Sequence, residues 1–330
     1  MIFLFLCNKI ENEIYLGEGI VNKAEVVFTA IDIFGHPLQN ARRFPGITCV
    51  EDIAYGEHEK QKGDLYFKDG LNNEEGKKPL LLYIRGGGFI LGDKSHRVTI
   101  GEYYANAGYY VYNINYRLPP EVDFNGQIYD CVMALNFIEK LSETYNIDTD
   151  NIFISGDSSG ACQTAFLGAV KYDDALREKI ICPEIKIDLK GLILMSGIYD
   201  VEALVKRKKL FGVIPETIKM ILGFELNKKC DNFKDYEFYD CLASMKFINE
   251  KWCSVFISWS KSDIFCKGQG EAMYEALKAN IANVKTHSVK GLINNHCYHL
   301  FLKINRYADE CMQASIKFMD ELVKTPTSLE

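Results

Sequence analysis

The sequence predicts a three-layer α/β fold in which helices cover both faces of a mainly parallel central sheet. Two observations lead to this prediction. Short apolar runs alternate with amphipathic helical stretches over roughly 200 residues, which is the order expected of successive βαβ units. Some of these runs, such as PLLLYI at 79–84, are apolar on both faces, as strands buried inside a parallel sheet are.

The individual elements follow from local patterns. Each strand is predicted from a short apolar run bounded by polar turns. These strands lie at 47–55, 64–67, 79–84, 108–116, 151–155, 189–197, 253–260 and 283–289. Each helix is predicted from apolar residues that recur at helical spacing. These helices lie at 127–145, 158–172, 270–280 and 304–324.

Two segments interrupt the alternation of strands and helices. The first 45 residues mix their periodicities and are broken by glycine and proline. Residues 198–246 form a long helical insertion between two predicted strands, at the sheet edge where open α/β folds place substrate sites. We therefore expect residues 1–330 to form a single domain with a helical cap from 198–246. The sequence leaves open whether residues 1–45 also belong to the cap.

Composition and charge exclude several classes of protein. Of the 330 residues, 48% are hydrophobic, so the chain can bury a core and is neither disordered nor collagenous. The 38 basic and 45 acidic residues give a net charge of −7, which leaves no basic excess for a nucleic-acid partner.

The cysteines and the N-terminal residues bear on the compartment. The 11 cysteines are odd in number and scattered, without a Cys-x-x-Cys pair, so we expect reduced, structural thiols. The opening MIFLFL lacks the features of a signal peptide, and no run reaches the roughly 18 apolar residues of a membrane helix. We therefore expect a cytoplasmic protein without a membrane partner. The oligomeric state is not indicated.

The strongest motif is Gly156-Asp157-Ser158-Ser159-Gly160. It lies between a predicted strand and a predicted helix, which is the context of a nucleophile elbow. Its flanking glycines are needed because side chains at those positions would clash around a strained turn. The first amides of the following helix point toward any oxyanion that develops there.

A second motif, Arg85-Gly86-Gly87-Gly88-Phe89, directly follows a buried strand. Three successive glycines allow backbone amides to approach a substrate carbonyl oxygen. A phosphate-binding loop is the competing interpretation, but no Lys-Ser or Lys-Thr follows at the required spacing. The pattern therefore favours an oxyanion hole.

Five motifs in order resemble those of the hormone-sensitive-lipase-like carboxylesterase and acetyl esterase group of the α/β-hydrolase superfamily. They are RGGGF at 85–89, YRLPPE at 116–121, GDSSG at 156–160, KSDIFC at 261–266 and HCYHLF at 296–301. The resemblance runs from about residue 47 to about residue 320 and implies a three-layer α/β-hydrolase fold with a helical cap.

The resemblance also implies a catalytic triad. Ser158 would be the nucleophile and Asp263 would orient the histidine, in the chain order Ser, Asp, His of this fold. His296 and His299 both follow the last strand and both precede an aromatic residue by two positions. The family places its catalytic histidine first in this motif, which favours His296. His299 would then open the closing helix.

The same resemblance assigns the oxyanion hole to the backbone amides of Gly87, Gly88 and Ser159. The chain departs from the family at Arg85, where a histidine is usual. A guanidinium there could bind an anionic or polar acyl group, or it could pair with a carboxylate of the loop. Phe89 is a candidate for the wall of the acyl pocket.

The predicted function is that of a serine hydrolase that cleaves small-molecule carboxylic esters of short or medium acyl chains through an acyl-enzyme. No cofactor is implied, and no cluster has metal-ligand spacing along the sequence. Two alternatives stay open. One is an amidase or peptidase, such as an arylformamidase, with the same triad. The other is a catalytically silent ligand-binding protein on a hydrolase scaffold, which the altered RGGG loop would suggest.

Overall fold

The structure is a computed structural model and describes residues 23–206, 213–227 and 229–324. Within these ranges, eight strands form one sheet. They are β1 (Ile47–Ala54), β2 (Lys62–Lys68), β3 (Lys78–Ile84), β4 (Tyr110–Ile114), β5 (Ile147–Asp157), β6 (Leu189–Met195), β7 (Ser254–Ser260) and β8 (Val284–Val289).

The strand order across the sheet is β1-β2-β4-β3-β5-β6-β7-β8. Only β2 runs against its neighbours β1 and β4, and all other adjacent pairs in the described chain are parallel. The predicted fold class, a three-layer α/β-hydrolase fold with a mainly parallel sheet, is therefore confirmed. Each of the eight predicted strands is present with shifted ends.

Ten α-helices lie in the described part of the chain. They are α1 (Lys23–Gln39), α2 (Val98–Asn106), α3 (Phe124–Asn136), α4 (Ile138–Ser142), α5 (Ser159–Tyr172), α6 (Asp174–Lys179), α7 (Val201–Lys206), α8 (Val213–Leu222), α9 (Gln269–Asn280) and α10 (Arg306–Val323). The helix predicted at 127–145 is divided into α3 and α4. The sequence did not predict α2, because seven of its nine residues are buried and it has no polar face to set a helical period.

The core lies on both faces of the sheet, as the two-sided apolar strands predict. In β3, Leu80, Leu82 and Ile84 face one cluster, which includes residues of α3, α5 and α9. Leu81 and Tyr83 face the other, which includes residues of α2 and α10. This alternation places the helices in two layers around the sheet and leaves the carboxyl ends of β3, β5 and β7 to form loops at one edge.

Within the described residues of the insertion at 198–246 lie α7, α8 and the start of each of three short 3₁₀ turns, the last of which ends at Phe247. Helix α8 packs against α1 from the N-terminal segment. The amide of Ala24 in α1 donates a 3.0 Å hydrogen bond to Glu216 Oε2 in α8. The two segments that interrupt the strand pattern in sequence thus touch each other in the fold.

None of the helices in the described ranges combines the length and the apolar character that crossing a bilayer requires.

Candidate active site

Ser158 lies in the turn between β5 and α5, with φ 54° and ψ −118°. A positive φ is strained for a residue with a side chain, and such strain collects at functional sites. Gly160 explains how the turn fits, because a Cβ at that position would lie 2.0 Å from the carbonyl oxygen of Ile84. Only glycine lets α5 begin this close to β3. The turn therefore has the strained serine and the close glycine contact that the GDSSG motif predicted for a nucleophile elbow.

His296 joins the serine to a carboxylate. Its Nε2 lies 2.8 Å from Ser158 Oγ, and its Nδ1 lies 2.8 Å from Asp263 Oδ2. These three residues come from the ends of β5 and β7 and from the loop that follows β8. The structure thus brings together all three residues predicted for the triad, which lie 105 and 33 positions apart along the chain.

Asp263 is fixed by the turn that follows β7. Its Oδ1 accepts hydrogen bonds from the amides of Phe265 and Cys266, at 2.8 and 2.7 Å. Its Oδ2 is left to face the imidazole of His296. Because backbone amides occupy one oxygen, the carboxylate can orient the histidine in only one direction.

Burial and the charge of the partner shift the pKa values of Asp263 and His296 in opposite directions. Burial alone would raise the pKa of Asp263 and lower that of His296. The charge of the partner outweighs burial in both cases, so the pKa of Asp263 is lowered and that of His296 is raised above its usual value. The imidazolium that forms when His296 accepts a proton is therefore stabilised.

His299 is placed differently from His296. It lies in a 3₁₀ turn, Tyr298–Leu300, so the expectation that it opens the closing helix is wrong. Its side chain is buried, and neither ring nitrogen has a hydrogen-bond partner within the described chain. Burial lowers the pKa of His299 to about 3, which keeps it neutral. The structure brings His296, and not His299, to the serine.

A second buried network supports the elbow from behind. The carboxylate of Asp157, the residue before Ser158, accepts hydrogen bonds from Arg97 Nε at 2.8 Å and from Arg97 Nη2 at 2.7 Å. The hydroxyl of Tyr83 and the amide of Gly86 also donate to it. Arg97 was not predictable as a site residue, because nothing in the local pattern of KSHRV indicates a contact 60 residues away.

The predicted oxyanion donors surround the elbow. Ser159 is the first residue of α5, so its amide has no acceptor within the helix. The loop that carries Gly87 and Gly88 follows β3 and lies against Ser158, since a Cβ on Gly86 would be 3.1 Å from Ser158 Cβ. Among the hydrogen bonds of the described residues, none is donated by the amides of Gly87 and Gly88.

Arg85 lies beneath this loop. Its Nη1 donates to the carbonyls of Leu91 and Gly86, at 2.8 and 3.2 Å, and its Nε donates to Asn115 Oδ1 at 2.9 Å. The guanidinium also lies over the ring of Tyr116, and the residue is only 1% exposed. Among the residues that the structure describes, Arg85 forms no direct ion pair with a carboxylate, so that interpretation is wrong for this part of the chain. Its contact with an anionic or polar acyl group stays a prediction. Arg85 holds carbonyl oxygens of the glycine loop inward.

Phe89 is also buried and packs edge-on against Phe124, with ring centroids 5.8 Å apart. It contributes to the core, and its role in the wall of the acyl pocket stays a prediction. A second aromatic ring, which no sequence motif indicated, packs onto this loop from another element. A Cβ on Gly88 would be 2.2 Å from Cζ of Phe28 in α1, so Phe28 covers the oxyanion loop from the N-terminal segment.

One group of side chains has the donor atoms of a metal site. Asp263, Cys266 and His296 each offer one ligand atom, and these atoms lie within 4.8 Å of one another. The spacing of the histidines along the sequence gave no sign of this group, because its members meet only when β7 and the loop after β8 are neighbours.

Comparisons with known proteins agree with this fold. The BD-FAE family model matches residues 64–277. R526 of Acanthamoeba polyphaga mimivirus, named as an alpha/beta hydrolase, is 35% identical over 83 residues, which are 25% of this chain and 24% of that protein. A probable isoprenylcysteine alpha-carbonyl methylesterase of Arabidopsis thaliana, ICMEL1, is 28% identical over 109 residues, 33% of this chain and 22% of that protein. The matches thus span about a quarter of each curated relative.

A solved structure extends the likeness to most of the chain. Esterase B from Lactobacillus rhamnosis superimposes with a TM-score of 0.79 at 18% identity, covering 92% of this chain and 96% of that one. At this identity the likeness concerns the fold. With the family match, it confirms the resemblance to carboxylesterase-like α/β-hydrolases that the motifs indicated.

Proposed function

The chain belongs to the BD-FAE family and has the fold of carboxylesterase-like α/β-hydrolases, and from this premise we propose that it is a serine hydrolase of carboxylic esters. One observation carries the proposal. The imidazole of His296 bridges Ser158 Oγ and Asp263 Oδ2 at 2.8 Å each, which is the geometry of a nucleophile, its general base and the group that orients the base.

The first half-reaction forms the acyl-enzyme. Ser158 Oγ attacks the ester carbonyl carbon while its proton passes to His296 Nε2. Asp263 stabilises the imidazolium through its hydrogen bond to Nδ1. The oxyanion of the tetrahedral intermediate accepts hydrogen bonds from the amides of Gly87, Gly88 and Ser159. Each such donor is worth about 3 kcal/mol of transition-state stabilisation.

The second half-reaction releases the acid. When the intermediate collapses, the carbon–oxygen bond to the alcohol breaks, and the alcohol leaves with the proton held on His296. A water molecule then enters, gives its proton to His296 Nε2 and attacks the acyl carbonyl. The proton returns to Ser158 Oγ as the acid departs. None of these steps calls on a cofactor.

The substrate we propose is a small-molecule ester with a short or medium acyl chain. Ester chemistry is supported by the names of the relatives, one a methylesterase and one an esterase. The limit on chain length is supported by Phe28, whose ring covers Gly88 at the oxyanion loop. The insertion at 198–246 and helix α1 would together form the cap, as their contact through Glu216 suggests.

A fluorophosphonate probe tests the serine mechanism most directly. It should label the wild-type chain at Ser158 and fail to label Ser158→Ala. Ser159→Ala is the matched control, because only its backbone amide is assigned a role, and it should be labelled like wild type. A folded wild-type chain that is not labelled would favour the silent scaffold and overturn the proposal.

Paired substrates separate ester from amide hydrolysis. A nitrophenyl ester and the nitroanilide of the same acyl group should differ in kcat/KM by several orders of magnitude in favour of the ester. A preference for the amide would replace the esterase with an amidase. A series of acyl lengths, assayed with wild type and Phe28→Ala, tests the limit on chain length. The variant should extend the range of accepted esters.

A further inference from the structure

Three side chains with different donor atoms meet beside the candidate active site. A carboxylate oxygen of Asp263, the sulfur of Cys266 and an imidazole nitrogen of His296 lie within 4.8 Å of one another. Oxygen, sulfur and nitrogen of these residue types are the ligands that Zn²⁺ uses in proteins. We propose that this cluster binds a thiophilic divalent cation of the Zn²⁺ class and that the bound ion switches the enzyme off.

Two of the three ligands are already positioned by the turn after β7. The amide of Cys266 donates to Asp263 Oδ1 at 2.7 Å, which fixes residue 266 beside the carboxylate. Both side chains are buried, at 2% exposure for Asp263 and 4% for Cys266. The third ligand, His296, is 17% exposed and already touches Asp263 Oδ2, so it gives an ion access from the candidate active site.

The three ligand atoms need to move by only about 1 Å to reach the spacing that a small cation requires. Bonds of about 2.0–2.3 Å in tetrahedral geometry place ligand atoms roughly 3.3–3.8 Å apart. The cluster must therefore contract by about 1 Å at its widest and open slightly between Asp263 and His296. Rotation of the Cys266 and His296 side chains can supply this movement without displacing the strands. A water molecule would take the fourth position.

The charges also balance. Asp263 is ionised, and Cys266 would release its thiol proton to solvent when the sulfur binds the metal. His296 would bind through the lone pair of a neutral nitrogen. A 2+ ion with one carboxylate and one thiolate has no net charge, which suits a buried site because no uncompensated charge is left there.

Binding would remove the general base by either imidazole nitrogen. If the ion takes Nε2, the atom that faces Ser158 is blocked. If it takes Nδ1, the ring proton must sit on Nε2, which can then no longer accept the proton of Ser158. This inhibition rests on the proposed function, whereas the binding of the ion does not.

Cobalt spectroscopy tests the binding alone. The purified full chain is titrated with Co²⁺ in the presence of a non-thiol reductant. Wild type should show a sulfur-to-cobalt charge-transfer band that saturates at one ion per chain. Cys266→Ser should lose this band. Cys131→Ser is the matched control, because Cys131 is also fully buried but lies in α3, where its neighbours include Asp130 and Cys182. This control should keep the band.

Inhibition is measured separately with a nitrophenyl ester, each variant being compared with itself in the absence of metal. Zn²⁺ should inhibit wild type reversibly, and a chelator should restore the rate. Cys266→Ser should raise the half-inhibitory Zn²⁺ concentration by at least about 100-fold, since even loss of an outer contact costs about 10–100-fold in metal affinity. Cys131→Ser should be inhibited by Zn²⁺ like wild type.

The outcomes distinguish the two proposals. A wild-type chain without the cobalt band, or a band that persists in Cys266→Ser, overturns the metal site even if esters are hydrolysed. A band that depends on Cys266 in a chain that hydrolyses no ester keeps the site and refutes the proposed function. If Cys266→Ser does not fold, alkylation of the wild-type chain with and without Zn²⁺ tests the metal site instead. Bound Zn²⁺ must slow alkylation of Cys266 but not of the exposed Cys49, and unchanged alkylation of Cys266 overturns the site.

Discussion

Two buried carboxylates, those of Asp157 and Asp263, lie at the candidate active site, and they are paired with different basic side chains. Asp157 is fully buried and is held by the guanidinium of Arg97, with further donors completing its shell. Asp263 is 2% exposed and is paired with the imidazole of His296, which reaches the serine with its other nitrogen. We call Asp157 and Arg97 the closed network, because neither side chain exchanges a proton with Ser158. Asp263 and His296 form the open network, because His296 Nε2 can exchange a proton with Ser158 Oγ.

The two networks differ in the basic group that pairs with the carboxylate, which is a guanidinium in one and an imidazole in the other. A guanidinium stays protonated at any pH that the fold survives, so Arg97 can only hold Asp157 in place. An imidazole titrates, so His296 can accept a proton and return it. In both pairs the partner's charge outweighs burial and lowers the pKa of the carboxyl group. The same ion-pair physics thus supports structure at one aspartate and is available for catalysis at the other.

The largest expected effect falls on the open network. Ser158→Ala should lower kcat for a nitrophenyl ester by about 10⁶-fold, because the nucleophile and its base act as one unit. The melting temperature should stay close to that of wild type. Substantial residual turnover would place the chemistry elsewhere than at the open network.

Asp263→Asn should lower kcat by about 10⁴-fold, since an amide holds His296 in the wrong tautomer. The pH profile should move as well. The raised pKa of His296 means that wild-type kcat/KM falls as pH drops through a value above about 6.5. Without the carboxylate, the strongest influence that raises the pKa of His296 is lost, and the acidic limb should shift to lower pH. An acidic limb that does not move would show that Asp263 does not set the pKa of the base.

The closed network should respond in stability. Arg97→Met leaves Asp157 buried without its ion-pair partner and should cost about 3–5 kcal/mol of unfolding free energy in urea titrations. Adding Asp157→Asn to this variant should restore part of that loss. The acidic limb of kcat/KM should stay where it is in wild type. A shifted limb would mean that the two networks are coupled.

Arg85→Met tests whether the other buried guanidinium also acts only as a support. Loss of its bonds to the loop carbonyls should misplace the oxyanion amides and lower kcat by about 10²-fold. The ratio of rates on neutral and acidic acyl esters should not change, because Arg85 is 1% exposed. Arg306→Met, which alters an exposed arginine at the start of α10, is the control. A changed ratio would show that Arg85 contacts the acyl group.

The smallest effect concerns His299, the neutral histidine three residues from the base. Its pKa is about 3 in the folded chain but near 6.5 when unfolded, so only the unfolded state takes up its proton as pH falls below about 6.5. This destabilises the fold by about 2 kcal/mol between pH 8 and pH 5. His299→Gln should reduce the pH dependence of the unfolding free energy by that amount.

Sequence patterns predicted the sheet well because its strands carry their own signals. Each of the eight strands has an apolar run and polar boundaries, and tertiary packing moved only their ends. Helix α2 escaped detection because it is buried almost all round. Helix α1 escaped because its period is mixed and Pro37 lies inside it. A hydrophobic period reports one buried face, so elements buried on many faces, or interrupted, give no readable pattern.

The residues of the candidate site also fall into two groups, those that local sequence predicts and those that depend on tertiary contacts. Ser158 and its flanking glycines were predictable because the elbow is a local structure, where strain and close approach act over five residues. His296 and His299 have the same local context, and only the position of the loop after β8 relative to β5 separates them. The roles of Arg97, Arg85 and Phe28 depend on contacts across the fold that no local pattern encodes.

The fold class, the elbow and the set of residues from which a triad can be built are encoded locally, since they depend on short-range periodicity and backbone sterics. Long-range packing specifies which histidine meets the serine and which arginine holds Asp157. It also specifies that Cys266 lies beside His296. These contacts join residues that are far apart in the chain, and the packing of the whole sheet fixes their distances and their exposure to water.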